Sequence, residues 1–98
     1  MSDCIFCKII KKEIPSKVVY EDDLILAFED INPQAKVHTL VVPKEHIDNN
    51  LSLKESHKEL IGYVFLKINE IAKQKGIEKT GFRILNNCGK NAGQEVQH

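Results

Sequence analysis

The sequence predicts an α+β fold: a mostly antiparallel sheet of about five strands, one long helix and a short N-terminal helix. Three observations predict it. Leu60, Val64 and Ile68 recur every four residues, and Ile61, Phe65, Ile71 and Ala72 widen the same face, as in an amphipathic helix. Short β-branched and aromatic runs lie on both sides of that helix. Their order is hairpin, strand, helix, strand, loop, strand, which separates helix from strands rather than alternating them.

Each element has its own signal. Cys4 to Ile14 ends at Pro15 and reads as a short helix or turn. Val18–Glu21 and Leu24–Glu29 read as strands joined by a tight turn at Asp22-Asp23. Ile31-Asn32-Pro33 breaks the second strand. Val37–Val42, closed by Pro43, is the most apolar run. That continuity predicts burial on both faces. Ser52 with Glu55, and Ser56 with Glu59, have capping-box spacing, and Gly76 is placed to stop the long helix. Phe82–Leu85 reads as a further strand and Asn86–Gly93 as a turn-rich loop, after which Val96 begins a last strand.

Ninety-eight residues make one domain, residues 1–98. Its 42% hydrophobic content is that of a globular chain. Fourteen basic and fourteen acidic residues cancel, and neither sign forms a block, so no nucleic-acid surface is expected. A small anion held by backbone amides remains compatible with zero net charge. No apolar run is long enough to span a bilayer, and Met1-Ser2-Asp3-Cys4 lacks a signal pattern. The expectation is a cytoplasmic protein without a membrane partner. Cys4, Cys7 and Cys88 are odd in number, which favours metal or thiol chemistry over a disulfide framework.

Cys4-x-x-Cys7 lets a tight turn aim two sulfurs at one zinc ion. A tetrahedral site needs two more donors. His57 falls among Lys54, Glu55, Lys58 and Glu59, and so reads as a solvated surface residue. His38 lies inside the apolar strand, which leaves His46 and His98 as the better candidates. A redox pair would need a strand before the motif, and only three residues precede Cys4. Two cysteines packed on an apolar turn beside Ile5 and Phe6 are the plain alternative.

Asp30 ends a strand in Ala27-Phe-Glu-Asp-Ile-Asn-Pro33. Its carboxylate can accept two hydrogen bonds from the vicinal diol of a ribose, with Phe28 and Ile31 offering apolar surface to a base. It can equally cap its own turn ahead of Asn-Pro. The glycines and asparagines of 86–93 tolerate positive φ, so their amides can converge on a phosphate or merely reverse the chain.

Six stretches, taken together, resemble the histidine-triad (HIT) proteins, most closely the Hint-like nucleotide phosphoramidases. They are Cys4-Ile-Phe-Cys-Lys-Ile-Ile10, Lys12-Glu-Ile-Pro15, Tyr20-Glu-Asp-Asp23, Ala27 to Ala35, His38-Thr-Leu-Val-Val-Pro-Lys-Glu-His-Ile47 and Gly93-Gln-Glu-Val-Gln-His98. They run from Cys4 to His98, effectively the whole chain. The resemblance implies a HIT-like fold. It also implies that Asp30 holds the ribose, that Ile14, Phe28 and Ile31 line the base, and that Asn87, Gly93 and Glu95 lie near the phosphates. Glu95 would act there through its backbone amide. His38 matches an active-site histidine, and His98 fits the first histidine of the triad. The second, which the family uses as the nucleophile on phosphorus, and the third are not among these 98 residues. The resemblance puts them just beyond residue 98. In zinc-containing members Cys4, Cys7, His46 and His98 are the ligands.

The expectation is therefore a HIT domain that binds a purine nucleotide such as AMP or GMP. Its activity would be that of a hydrolase or nucleotidyl transferase on nucleotide phosphoramidates, through a covalent nucleotidyl-histidine. A structural zinc and a homodimer built on the long helix complete the implied picture. A non-catalytic nucleotide-binding module and a small structural zinc domain are the other two readings.

Overall fold

The computed structural model describes residues 4–96 and 98. Helix α1 (Ile5–Ile10) is followed by β1 (Val18–Glu21), β2 (Ile25–Glu29), β3 (Thr39–Pro43) and the long helix α2 (Lys58–Gln74). Short 3₁₀ turns cover Asn50–Ser52, Glu55–His57 and Lys90–Ala92. The strands form one antiparallel sheet in the order β1-β2-β3.

The most buried strand is β2, not the apolar run after it. Ile25, Leu26 and Ala27 have no exposed surface and Phe28 keeps 4%, because β2 is central and flanked by a strand on each side. The third strand was expected over Val37–Val42 with both faces buried. Instead β3 lies at the sheet edge, starts at Thr39 and buries only Val42. Hydropathy ranks runs by composition, whereas position in the sheet decides how many neighbours cover them.

Leu26 and Phe28 share a face of β2, since side chains alternate along a strand. They join Val42 and Ile9 of α1 in the core, with Phe6, Ile10, Ile14 and Leu40 packed around them. Phe6 meets Phe28 edge to face at 5.7 Å, a favoured aromatic geometry. This contact seats α1, and with it both N-terminal cysteines, on the sheet.

Polar ties at the two ends of β2 fix α2. Tyr20 and Tyr63 both donate to Asp22 Oδ2, while Asp22 Oδ1 accepts from the Leu24 and Ile25 amides. The predicted two-residue turn is therefore an Asp-centred turn that includes Leu24. Burial works against the Asp22 charge, but these four donors outweigh it and hold the carboxyl well below its usual range. At the other end, Lys75 Nζ lies 3.0 Å from Glu29 Oε2. Gly76 stops the helix at φ +74°, with its amide on Lys73 and that of Ile77 on Ala72. That is the predicted stop, in a Schellman arrangement.

The sheet has three strands rather than five. Among the described residues Phe82–Leu85 forms no strand, having no neighbour to pair with, and Phe82, Ile84 and Leu85 stand 42, 44 and 72% exposed. The strand expected from Val96 is likewise absent at Val96 and His98, and Gln97 lies outside the described residues. An extended run becomes a strand only when its N–H and C=O groups meet a ladder partner. Phe65 and Leu66 of α2 are also exposed, at 51 and 65%.

His57 is buried, at 8% exposed, rather than on the solvated face. It belongs to the 3₁₀ turn before α2, whose tighter winding rotates it out of the helical pattern. Its Nδ1 accepts from the Lys54 amide and its Nε2 meets Glu45 Oε2 at 2.8 Å. The Ser-Glu capping boxes are not used, because this turn supplies the helix entry.

Candidate functional site

Four side chains expected from sequence to share a metal do converge. The ligand atoms of Cys4, Cys7, His46 and His98 all lie within 4.8 Å of one another. Cys4 is the N-cap of α1 and Cys7 sits in its first turn, where i and i+3 share a face. Cys4 Sγ accepts from the Cys7 amide at 3.4 Å. His46 follows the exit of β3, and His98 comes in from the C-terminal segment.

Cys7 Sγ is 3.1 Å from His46 Nδ1 and 3.6 Å from His98 Nδ1, and Cys4 Sγ is 3.3 Å from His98 Nδ1. Tetrahedral zinc, with bonds of about 2.3 Å to sulfur and about 2.0 Å to nitrogen, places neighbouring donors about 3.3–3.8 Å apart. The Cys4–His98 and Cys7–His98 separations fall in that range and the Cys7–His46 separation lies just below it, so the donor types and spacing suit such an ion. Both imidazoles turn Nδ1 to the cluster and Nε2 to an oxygen. His46 Nε2 meets Asp48 Oδ1 at 2.6 Å, and His98 Nε2 donates to the Pro43 carbonyl at 2.8 Å. An oxygen partner on the far nitrogen fixes the tautomer that leaves the near nitrogen a lone pair.

The groups of the cluster differ in their electrostatics. Burial pushes the Cys4 thiol up and the His98 imidazole down, so both favour neutral forms. The hydrogen bond from Cys7, then that of Asp48, pushes His46 up. Sequence reasoning missed Asp48, although a carboxylate two residues beyond a candidate histidine is a recognisable supporting partner. Cys88 is not part of the cluster.

The expected nucleotide residues are less gathered. Asp30 lies just past β2, its Oδ1 accepting from the Asn32 amide at 2.9 Å. Asp30 therefore does cap its own turn. Its Oδ2 is 3.3 Å from His38 Nε2, and His38 sits ahead of β3 rather than within a buried strand. Ile31 is 90% exposed, whereas Phe28 is buried in the core beside the half-buried Ile14. Asn87, Gly93 and Glu95 are exposed.

The loop carrying Gly93 is tied by Gln94 to Asp48 and Val96, each two residues from a histidine of the cluster. Its Oε1 accepts from the Gly89 amide at 2.8 Å, and its Nε2 donates to the carbonyls of Asp48 and Val96 at 2.7 and 3.0 Å. A glutamine next to a glycine-rich loop gives no signal of this role in sequence.

The HIT domain family model matches residues 11–98. This chain belongs to the HIT family. The 14 kDa zinc-binding protein of Zea mays is 48% identical over 99% of the chain and 77% of its own length. The purine nucleoside phosphoramidase of Escherichia coli is 42% identical over 98% of the chain and 81% of its own length. A histidine triad protein from Clostridium difficile superposes with a TM-score of 0.95 at 52% identity, covering 100% of this chain and 85% of that one. The fold of this HIT protein is thus that of a solved member of the family.

Proposed function

We propose that this HIT protein binds a purine nucleotide and acts as a hydrolase or nucleotidyl transferase on nucleotide phosphoramidates. The observation that carries the reading is Asp30, a carboxylate at the end of the central strand with Oδ1 and Oδ2 held on different partners. The similarity to a purine nucleoside phosphoramidase supports the substrate class. Asp30 would take the ribose diol of AMP or GMP. Ile14, Phe28 and Ile31 would take the base, with Ile31 supplying open apolar surface. Asn87, Gly93 and the Glu95 amide would meet the phosphates, with His38 and His98 on the catalytic side.

Cys4, Cys7, His46 and His98 would hold a structural zinc, a reading supported by the donor geometry and by the zinc-binding relative. When bound, zinc supplies a cross-link between α1, the exit of β3 and the C-terminal segment. A homodimer is proposed through α2 and 82–85, supported by the exposed Phe65, Leu66, Ile84 and Leu85. A cytoplasmic location is part of the same reading.

The test is binding of AMP and its 2′,3′-dideoxy analogue to the protein and to Asp30→Ala. Charge-assisted hydrogen bonds contribute about 1.5–3 kcal/mol each, so AMP should bind at least about tenfold more weakly to the variant and the analogue almost unchanged. Equal losses would reduce Asp30 to a turn residue.

A further inference from the structure

We infer that His38 is the positioning residue for Asp30, holding its carboxylate in the orientation that receives the ribose diol. The inference rests on the proposed nucleotide reading and extends it to His38, whose ring contacts Asp30 and the Gln34 amide. Asp30 and His38 face each other where the β2–β3 hairpin opens. The Asp30 amide donates to the His38 carbonyl at 3.0 Å, one step beyond the Glu29–Thr39 ladder pair. Their side chains then meet, His38 Nε2 lying 3.3 Å from Asp30 Oδ2.

The loop between them sets the direction of that contact. His38 Nδ1 accepts from the Gln34 amide at 2.9 Å. A ring nitrogen that accepts from an amide carries no proton, so the proton of the neutral ring sits on Nε2 and faces Asp30. Asp30 Oδ1 is occupied by the Asn32 amide, and the Gln34 side chain donates to the Asn32 carbonyl at 3.4 Å. Residues 31–37 are exposed, so these bonds, rather than apolar packing, shape the loop.

A carboxylate offers about four lone-pair positions. His38 and Asn32 take one on each oxygen, which leaves one on each for the two hydroxyls of a ribose. The diol can therefore bind without displacing either partner, to a carboxylate whose rotation is already restrained. Preorganisation of this kind raises affinity by removing the cost of ordering the side chain on binding.

The experiment measures AMP and 2′,3′-dideoxy-AMP binding by calorimetry on the zinc-replete protein and on His38→Ala, His38→Gln and Asp30→Ala. His38→Ala should weaken AMP by about three- to tenfold and leave the dideoxy analogue unchanged, which also reports an intact fold. His38→Gln, which keeps a donor, should recover part of the loss. Equal weakening of both ligands by His38→Ala, or weakening of neither, overturns the inference while a diol-selective Asp30→Ala leaves the nucleotide reading standing. A non-selective Asp30→Ala, or no AMP binding by the unsubstituted protein, overturns both.

Discussion

His46 and His98 meet edge to face with ring centroids 4.8 Å apart, and each presents Nδ1 to the cysteines while an oxygen holds its Nε2. Two imidazoles fixed in this way are poised for a shared cation. Protein purified without chelator should therefore carry about one zinc per chain, and chelator should lower its thermal stability. Cys4→Ser should destabilise the protein more than it weakens AMP binding, because Cys4 anchors α1. Less than about a tenth of an equivalent of zinc, with stability unchanged by chelator, would sink the assignment.

Zinc loading should also release protons at neutral pH. Burial keeps the Cys4 thiol above its ordinary value of 9.0, and Cys7 and Asp48 raise His46 above 6.5. The Cys4 thiol therefore enters the reaction protonated, and His46 keeps its proton to higher pH than an ordinary imidazole, so the metal must displace protons. Titrations in two buffers of different ionisation enthalpy should show net release, and affinity should fall as pH is lowered. Net uptake would contradict the ligand set.

The cluster of Cys4, Cys7, His46 and His98 was legible in the sequence because Cys-x-x-Cys is local and His46 and His98 lie outside the helix. His57 was not, since a 3₁₀ turn moved it from the polar face into a buried pair with Glu45. The long helix and its Gly76 stop follow from periodicity and from one residue's tolerance of positive φ. Strand number does not follow from local pattern. Phe82–Leu85 has the composition of a strand but no ladder partner among the described residues. Burial ranked β2 above the more apolar β3 for the same reason, as sheet order is set by pairings that hydropathy does not encode.

The Gly76 stop gives a clean test of backbone strain. A Cβ added there would meet nothing within 4 Å, so Gly76→Ala has no steric partner and only the φ of +74° opposes it. A left-handed non-glycine residue costs about 1–2 kcal/mol. Denaturant unfolding should show a loss of about 1 kcal/mol with an unchanged slope. No loss would mean the helix end can relax.

The Asp22 tie offers a pH-dependent test of how α2 is held. Tyr63 and Tyr20 both donate to Asp22 Oδ2, and together with the Leu24 and Ile25 amides they keep the carboxyl below its ordinary 3.8 despite burial. A carboxylate whose folded pKa is depressed contributes stability above its unfolded value, and loses it as pH falls through the folded one. Tyr63→Phe removes one donor from α2 and should lower Tm at pH 7 by a few degrees. The gap from the unsubstituted protein should narrow as pH drops below about 4, where Asp22 in the unfolded chain takes up its proton. A gap that stays constant down to pH 2 would mean the tyrosine acts through packing alone. The same substitution leaves Lys75–Glu29 at the far end of β2 untouched. Combining it with Lys75→Met should therefore give roughly additive losses, as expected of separated sites.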